Sequence, residues 1–171
     1  VVNGDEAKSR GVELELNSRL TDNLRIDFGI GYTKAEITKD AGLLNFTDFA
    51  VARDGDPLPG VPDVQASINV DYDKPLENGS NLHFNLNGSY RSSAETNFNA
   101  DFGNYVEVDG FDKWNASVTW EKDSFSVRAF VNNITDEVGL SGVQNGRAAY
   151  SHIGFIGRPR TVGIRLNYEF N

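Results

Sequence analysis

Cysteine is absent from the sequence, so disulfides and thiolate-ligated metals are excluded. Methionine is absent too, even at the start, where the chain opens Val1-Val2-Asn3, and it is therefore expected to be a segment of a longer protein. Histidine is scarce: only His83 and His152 occur, with no partner at metal-ligand spacing. Basic charge is in deficit. Lys and Arg number 16 against 25 Asp and Glu, giving a net charge of −9 over 171 residues. A nucleic-acid partner is thereby disfavoured, since neutralising phosphates needs a basic face. Long apolar runs are missing as well; nothing approaches the ~18 consecutive apolar residues of a transmembrane helix. No catalytic constellation stands out, so no enzyme activity and no cofactor is expected.

What the sequence does contain is period-2 alternation, repeated seven times. Apolar Val12, Leu14 and Leu16 alternate with Glu13 and Glu15. Leu24, Ile26, Phe28 and Ile30 alternate with Arg25, Asp27, Gly29 and Gly31. The pattern returns at Val64–Tyr72, Leu82–Leu86, Trp114–Trp120, Phe125–Val131 and Val162–Phe170. Each run reads as a β-strand with one apolar and one polar face. Gly and Asn are abundant and poor in helix interiors, and no segment shows a 3.6-residue period.

Seven such strands admit two architectures. A soluble sandwich turns the apolar faces inward; a membrane barrel turns them out to lipid and keeps its lumen polar. The connections choose between them. Thr21-Asp22-Asn23, Asp73–Ser80 and Lys122-Asp123 are short, whereas 38–63, 91–110 and 133–159 are long, and the two kinds alternate strictly. Long connections without structure are uncommon in compact soluble domains, but short turns at one end and long loops at the other are the outer-membrane barrel arrangement. Aromatics agree. Tyr72, Trp120, Phe125, Tyr168 and Phe170 fall at the short-turn ends, and Tyr32, Tyr90 and Trp114 at the long-loop ends, as two girdles bracketing an apolar band. On this reading Val12, Leu24, Val64 and Val162 face lipid. Glu13, Glu15, Arg25, Asp27, Asp71, Arg128, Arg165 and Glu169 face the lumen, where His83 also lies. Gly29 and Gly31 are expected to permit a bend or the close approach of another backbone. An odd strand number cannot close an ordinary bacterial barrel, so more strands are expected elsewhere.

Several segments resemble a known family. Asn3-Gly4-Asp5-Glu6-Ala7-Lys8-Ser9-Arg10-Gly11-Val12-Glu13-Leu14-Glu15 is similar to the N-x-G-x-A-x-x-x-G-x-E-[LF]-E strand motif of TonB-dependent receptors. Gly31-Tyr32-Thr33-Lys34-Ala35-Glu36, Leu58-Pro59-Gly60-Val61-Pro62, Val131-Asn132-Asn133-Ile134-Thr135-Asp136 and Gly157-Arg158-Pro159-Arg160-Thr161-Val162-Gly163 resemble further motifs of that family, in family order. The resemblance implies an all-β, antiparallel up-and-down transmembrane barrel, of which residues 1–171 are about the last seven of roughly 22 strands. It also implies a plug domain and a TonB-contacting segment outside this chain, a place in the outer membrane of a Gram-negative bacterium, and TonB-energised uptake of a scarce solute such as a ferric siderophore. Asn171 after Phe170 departs from the aromatic ending usual in the family. A passive outer-membrane channel and a secreted β-sandwich binding module are the alternatives.

Two sets of residues are candidates for function. Arg53, Arg91, Phe98, Tyr105, Arg147 and Tyr150 lie in the long loops, and aromatics with Arg suit an anionic, ring-bearing solute. Thr161, Gly163, Leu166, Tyr168 and Phe170 follow a polar-x-Gly-x-x-apolar-x-apolar pattern that resembles the C-terminal signal read by the outer-membrane assembly machinery. Expected partners are membrane lipid, the remaining strands and plug, TonB through the missing part, and that machinery.

Overall fold

The computed structural model describes residues 6–39, 52–96, 106–145 and 152–170. All regular structure among them is strand. The strands are β1 (Ala7–Arg19), β2 (Leu24–Ile37), β3 (Val64–Pro75), β4 (Asn81–Arg91), β5 (Ala94–Glu95), β6 (Glu107–Val108), β7 (Phe111–Lys122), β8 (Phe125–Asn132), β9 (Leu140–Asn145), β10 (His152–Ile156) and β11 (Thr161–Tyr168). Seven of them form one antiparallel sheet in the order β1-β2-β3-β4-β7-β8-β11, a plain meander. Each corresponds to one of the alternating runs.

Local chemistry sets the short turns. The Thr21 hydroxyl accepts the backbone N–H groups of Asn23 (3.2 Å) and Leu24 (3.0 Å) between β1 and β2. Gly79 takes a left-handed φ of 77° between β3 and β4, a conformation that costs glycine nothing. The Asn78 side chain accepts the Ser80 N–H beside it at 3.1 Å. Asp123, with φ of 51°, tightens the link from Lys122 to its cross-strand partner Phe125.

Register then settles which residues share a face. Val12 pairs with Tyr32 and Tyr32 with Val64. A second row runs Leu24, Tyr72, Phe84, Val118, Ala129, Ile164 across six strands. Every apolar run keeps to one face. Among the described residues no second sheet covers it: Val12, Leu14, Leu16, Val162, Ile164 and Leu166 are all more than half exposed. No large side chain among the described residues is fully buried. A sandwich would bury these positions in a dry core, so the open apolar face argues for a lipid-facing one. At the short-turn end Tyr72 meets Phe84, Trp120 meets Phe125 and Tyr168 meets Phe170, with ring centroids 6.2, 6.1 and 4.8 Å apart.

The buried apolar residues, Ala35, Ile37, Ala52, Ala94 and Val108, all gather at the long-loop end. There the structure differs from the sequence expectation of structureless connections. β5 pairs with β6, and β9 with β10. The backbone of Pro57 bridges to Glu36, and the Gly60 N–H donates to the Glu95 carbonyl at 2.7 Å. Two-residue strands and the Gly-containing Leu140–Asn145 and His152–Ile156 runs carry too little alternation to be seen beforehand. β7 opens at Phe111, three residues before the alternating run that begins at Trp114.

Candidate functional site

The opposite face of the sheet is polar, and side-chain amides tie it together. Asn17, Asp27, Asn69, Asn87, Asn115, Asn132 and Thr161 occupy one continuous cross-strand row over all seven strands. Asn115 Nδ2 donates to Asn87 Oδ1 (2.8 Å), and Asn87 Nδ2 donates to Asn85 Oδ1 (2.9 Å). Asn85 Nδ2 donates to both Asn69 Oδ1 and Asp71 Oδ1 at 2.8 Å. The His83 ring lies between two carboxylates, with Nε2 3.3 Å from Asp71 and Nδ1 2.8 Å from Asp73. Each imidazole nitrogen is committed to a different carboxylate, which makes His83 a bridge between polar partners rather than a metal ligand. Arg25 pairs with Asp27 at 3.1 Å. Such a wall is inexpensive facing water and costly facing lipid.

Near β1–β3 the wall hollows into a trough of about 440 Å³, lined by Glu13, Glu15, Gly29, Gly31, Gln65 and Ser67 among others. The two glycines make the space. A Cβ at Gly29 would meet only Ser67 Oγ at 3.4 Å, and one at Gly31 only Glu13 Cγ at 3.6 Å. Neither glycine is pressed by a neighbouring backbone of the described residues.

At the long-loop edge of this face the sheet presents a cationic pair about one aromatic ring. Arg91 and Phe111 are direct cross-strand partners. The Arg91 guanidinium carbon and the Lys113 ammonium each lie 5.2 Å from the centre of the Phe111 ring. Attraction to the ring face holds both cations in place. Arg91 Nε is buried and finds no hydrogen-bond partner among the described residues, leaving a charged donor unused. The Phe111 ring also lies on Gly139, and Lys113 reaches Gly157, so no side chain from either glycine intrudes. Of the loop residues expected to bind solute, Arg91 belongs to this group. Arg53 lies on a separate turn, where its N–H donates to Asp56 Oδ2 at 2.7 Å. Phe98, Tyr105, Arg147 and Tyr150 lie outside the described residues. Lys113 precedes the alternating run that opens at Trp114, and only the longer strand β7 and its register with β4 place it on the inward face.

The segment leading into β11 is clamped from the far end of β8. Asn133, 4% exposed and at a left-handed φ of 53°, donates from Nδ2 to the carbonyls of Glu137 (3.0 Å) and Arg158 (3.1 Å). Its Oδ1 accepts the Glu137 N–H at 3.0 Å, and its own N–H reaches Asn115 Oδ1 at 2.9 Å. Asp136 accepts the Arg160 N–H at 2.8 Å and faces its guanidinium at 3.7 Å. The clamp delivers Thr161 to Asn132 and starts the last ladder in register. Along it Leu166 and Tyr168 stand on the apolar face, and Gly163 on the polar one.

Comparison with known proteins gives a consistent picture. A family model described as "TonB dependent receptor-like, beta-barrel" matches residues 1–134. Among solved structures, the ferric yersiniabactin uptake receptor FyuA of Yersinia pestis matches 96% of this chain at 22% identity and TM-score 0.74. The ferric preacinetobactin receptor BauA of Acinetobacter baumannii matches 96% at 20% identity and TM-score 0.73. The ferric-catecholate import receptor Fiu of E. coli matches 96% at 19% identity and TM-score 0.71. The chain spans only 24%, 22% and 21% of those three chains.

Proposed function

The chain belongs to the TonB-dependent receptor β-barrel family, whose members are receptors and transporters of the Gram-negative outer membrane rather than enzymes, and from that premise we propose that it is the C-terminal barrel wall of an outer-membrane importer of an anionic iron chelate. The observation that carries this reading is the pairing of Arg91 and Lys113 about the Phe111 ring on the polar face at the long-loop edge. Two cations held beside an aromatic ring suit a solute with carboxylate or catecholate oxygens and a ring of its own. The solved structures that share the fold are named for ferric chelates, which supports the same solute class.

On this reading residues 1–171 supply about the last seven strands of a closed barrel of roughly 22. The strand edges of β1 and β11 pair with strands supplied elsewhere in the parent protein, because open edges are not tolerated in lipid. The polar face lines the lumen, where a plug domain sits, and TonB acts through the part of the protein beyond this chain.

The test is growth of a strain expressing the parent receptor on ferric chelates as sole iron source, with and without a functional TonB. Uptake lost with TonB, and lost again in Arg91→Ala and Lys113→Ala receptors at normal surface levels, supports the proposal. Removing a charged donor of this kind weakens binding by about tenfold or more. Uptake that persists without TonB identifies a passive channel instead.

A further inference from the structure

The outward face of β1 and β2 changes character abruptly. Along β1 it reads Leu16, Leu14, Val12 and then Arg10, Lys8; along β2 it reads Phe28, Ile30, Tyr32 and then Lys34, Glu36. Register puts the switch at one height on both strands, since Val12 pairs with Tyr32, Arg10 with Lys34 and Lys8 with Glu36. The first charged row stands two residues beyond the last apolar row, about 7 Å along the strand. That is headgroup level if the apolar band spans the hydrocarbon.

The charges there do not cancel. Glu36 Oε2 lies 2.6 Å from the Lys34 ammonium, and Glu36 Oε1 3.8 Å from the Arg10 guanidinium. The Lys34 hydrogen bond, with the nearby charges of Lys34, Arg10 and Lys8, holds the Glu36 carboxyl below its ordinary range. Glu36 is thus a fixed anion among Lys8, Arg10 and Lys34, and with Glu6 one row further along the same face three cations stand against two carboxylates, leaving one positive charge in a chain of net charge −9. The carboxylate is tucked in at 18% side-chain exposure, while Arg10 and Lys34 stand out at 59% and 48%. On β7 the outward partner of Tyr90 is Asp112, so the surplus is local to β1–β2.

We propose that this patch docks the phosphate of an outer-leaflet lipid headgroup, with Arg10 and Lys34 as direct ligands and Lys8 as a flanking charge. The proposal rests on the barrel reading above, which places the patch at the outer leaflet. Arg offers two parallel donors to one phosphate, and Lys a mobile point charge beside it. The bound headgroup would anchor the β1–β2 hairpin at a fixed depth.

The test uses the intact receptor in neutral detergent, titrated with a fluorescent diphosphorylated glucosamine glycolipid, its dephosphorylated form, and inorganic phosphate as competitor. The expected result is a preference for the phosphorylated lipid that falls about fivefold in each of Lys8→Gln, Arg10→Gln and Lys34→Gln, and roughly a hundredfold in the triple variant. Glu36→Gln should tighten binding by about fivefold. Equal binding by the wild type and a folded triple variant overturns the proposal, as does indifference to the phosphates. Full competition by equimolar inorganic phosphate would make this a free-anion site and overturn the headgroup assignment. A receptor that fails to form a heat-modifiable barrel in micelles would instead overturn the barrel reading, and this inference with it.

Discussion

Gly163 on β11 lies directly across from Phe130 on β8, and the Phe130 ring occupies the space a side chain at 163 would fill: an added Cβ would fall 2.5 Å from Phe130 Cζ. The polar face therefore carries an aromatic ring folded over a glycine at the last strand pair. The apolar face repeats the device at Gly88, where a Cβ would fall 2.6 Å from the Trp114 ring. A ring over a glycine restores buried area that the glycine cannot supply itself and pins register.

Gly163→Ala should therefore displace the Phe130 ring, and Gly163→Val should do so more severely, at a cost of about 1–3 kcal/mol. In the intact receptor this appears as a lower melting point of the heat-modifiable band. Phe130→Ala in the same chain should recover most of the loss in Gly163→Ala. If the double variant is no better than the single, ring packing is not why glycine stands there.

Asn133 satisfies two carbonyls and one N–H of the segment between β8 and β11 from a single side chain. Asn133→Ala leaves these groups without partners in a largely buried site and should cost about 2–4 kcal/mol. The effect should be local. Limited proteolysis within 134–160 should speed up while the strands of the sheet keep their hydrogen-exchange protection. Uniform loss of protection across all seven strands would show that the clamp supports the whole sheet instead.

Tyr168 and Phe170 lie edge to face, 4.8 Å between ring centroids, at the end of the last strand. The pair belongs to the proposed assembly signal, along with Thr161, Gly163 and Leu166. Changing both rings to Ala should cut the amount of folded receptor in the outer membrane several-fold, with little change in solute affinity of the receptor that remains. Normal levels with lost binding would move these residues from assembly to recognition.

The seven main strands were legible because each alternates over five or more residues, so one placed residue fixes the facing of the rest. Val12, Leu24 and Val162 share a face for that reason. The hairpins of the long loops were not legible. Ala94–Glu95 with Glu107–Val108 is too short to show a period, and its pairing depends on contacts far apart in sequence. Arg91 was recognised by residue type, but its partners were not, since only the β4–β7 register brings Phe111 and Lys113 beside it. The Asn133 clamp was visible only as part of a family-like motif. Its chemistry needs the left-handed backbone and the return of Arg158, neither of which leaves a periodic trace.

The central claim is that the apolar face meets lipid and the amide-bearing face meets water. Nitroxide labels placed singly in the intact, bilayer-reconstituted receptor test it, by comparing collision with oxygen and with a water-soluble nickel chelate. Labels at Ile30, Ala66 and Val118 should be reached by oxygen and shielded from the chelate, and labels at Gly31, Ser67 and Thr119 should show the reverse. Shielding from both reagents at Ile30, Ala66 and Val118 would place them in a dry protein core and contradict the account.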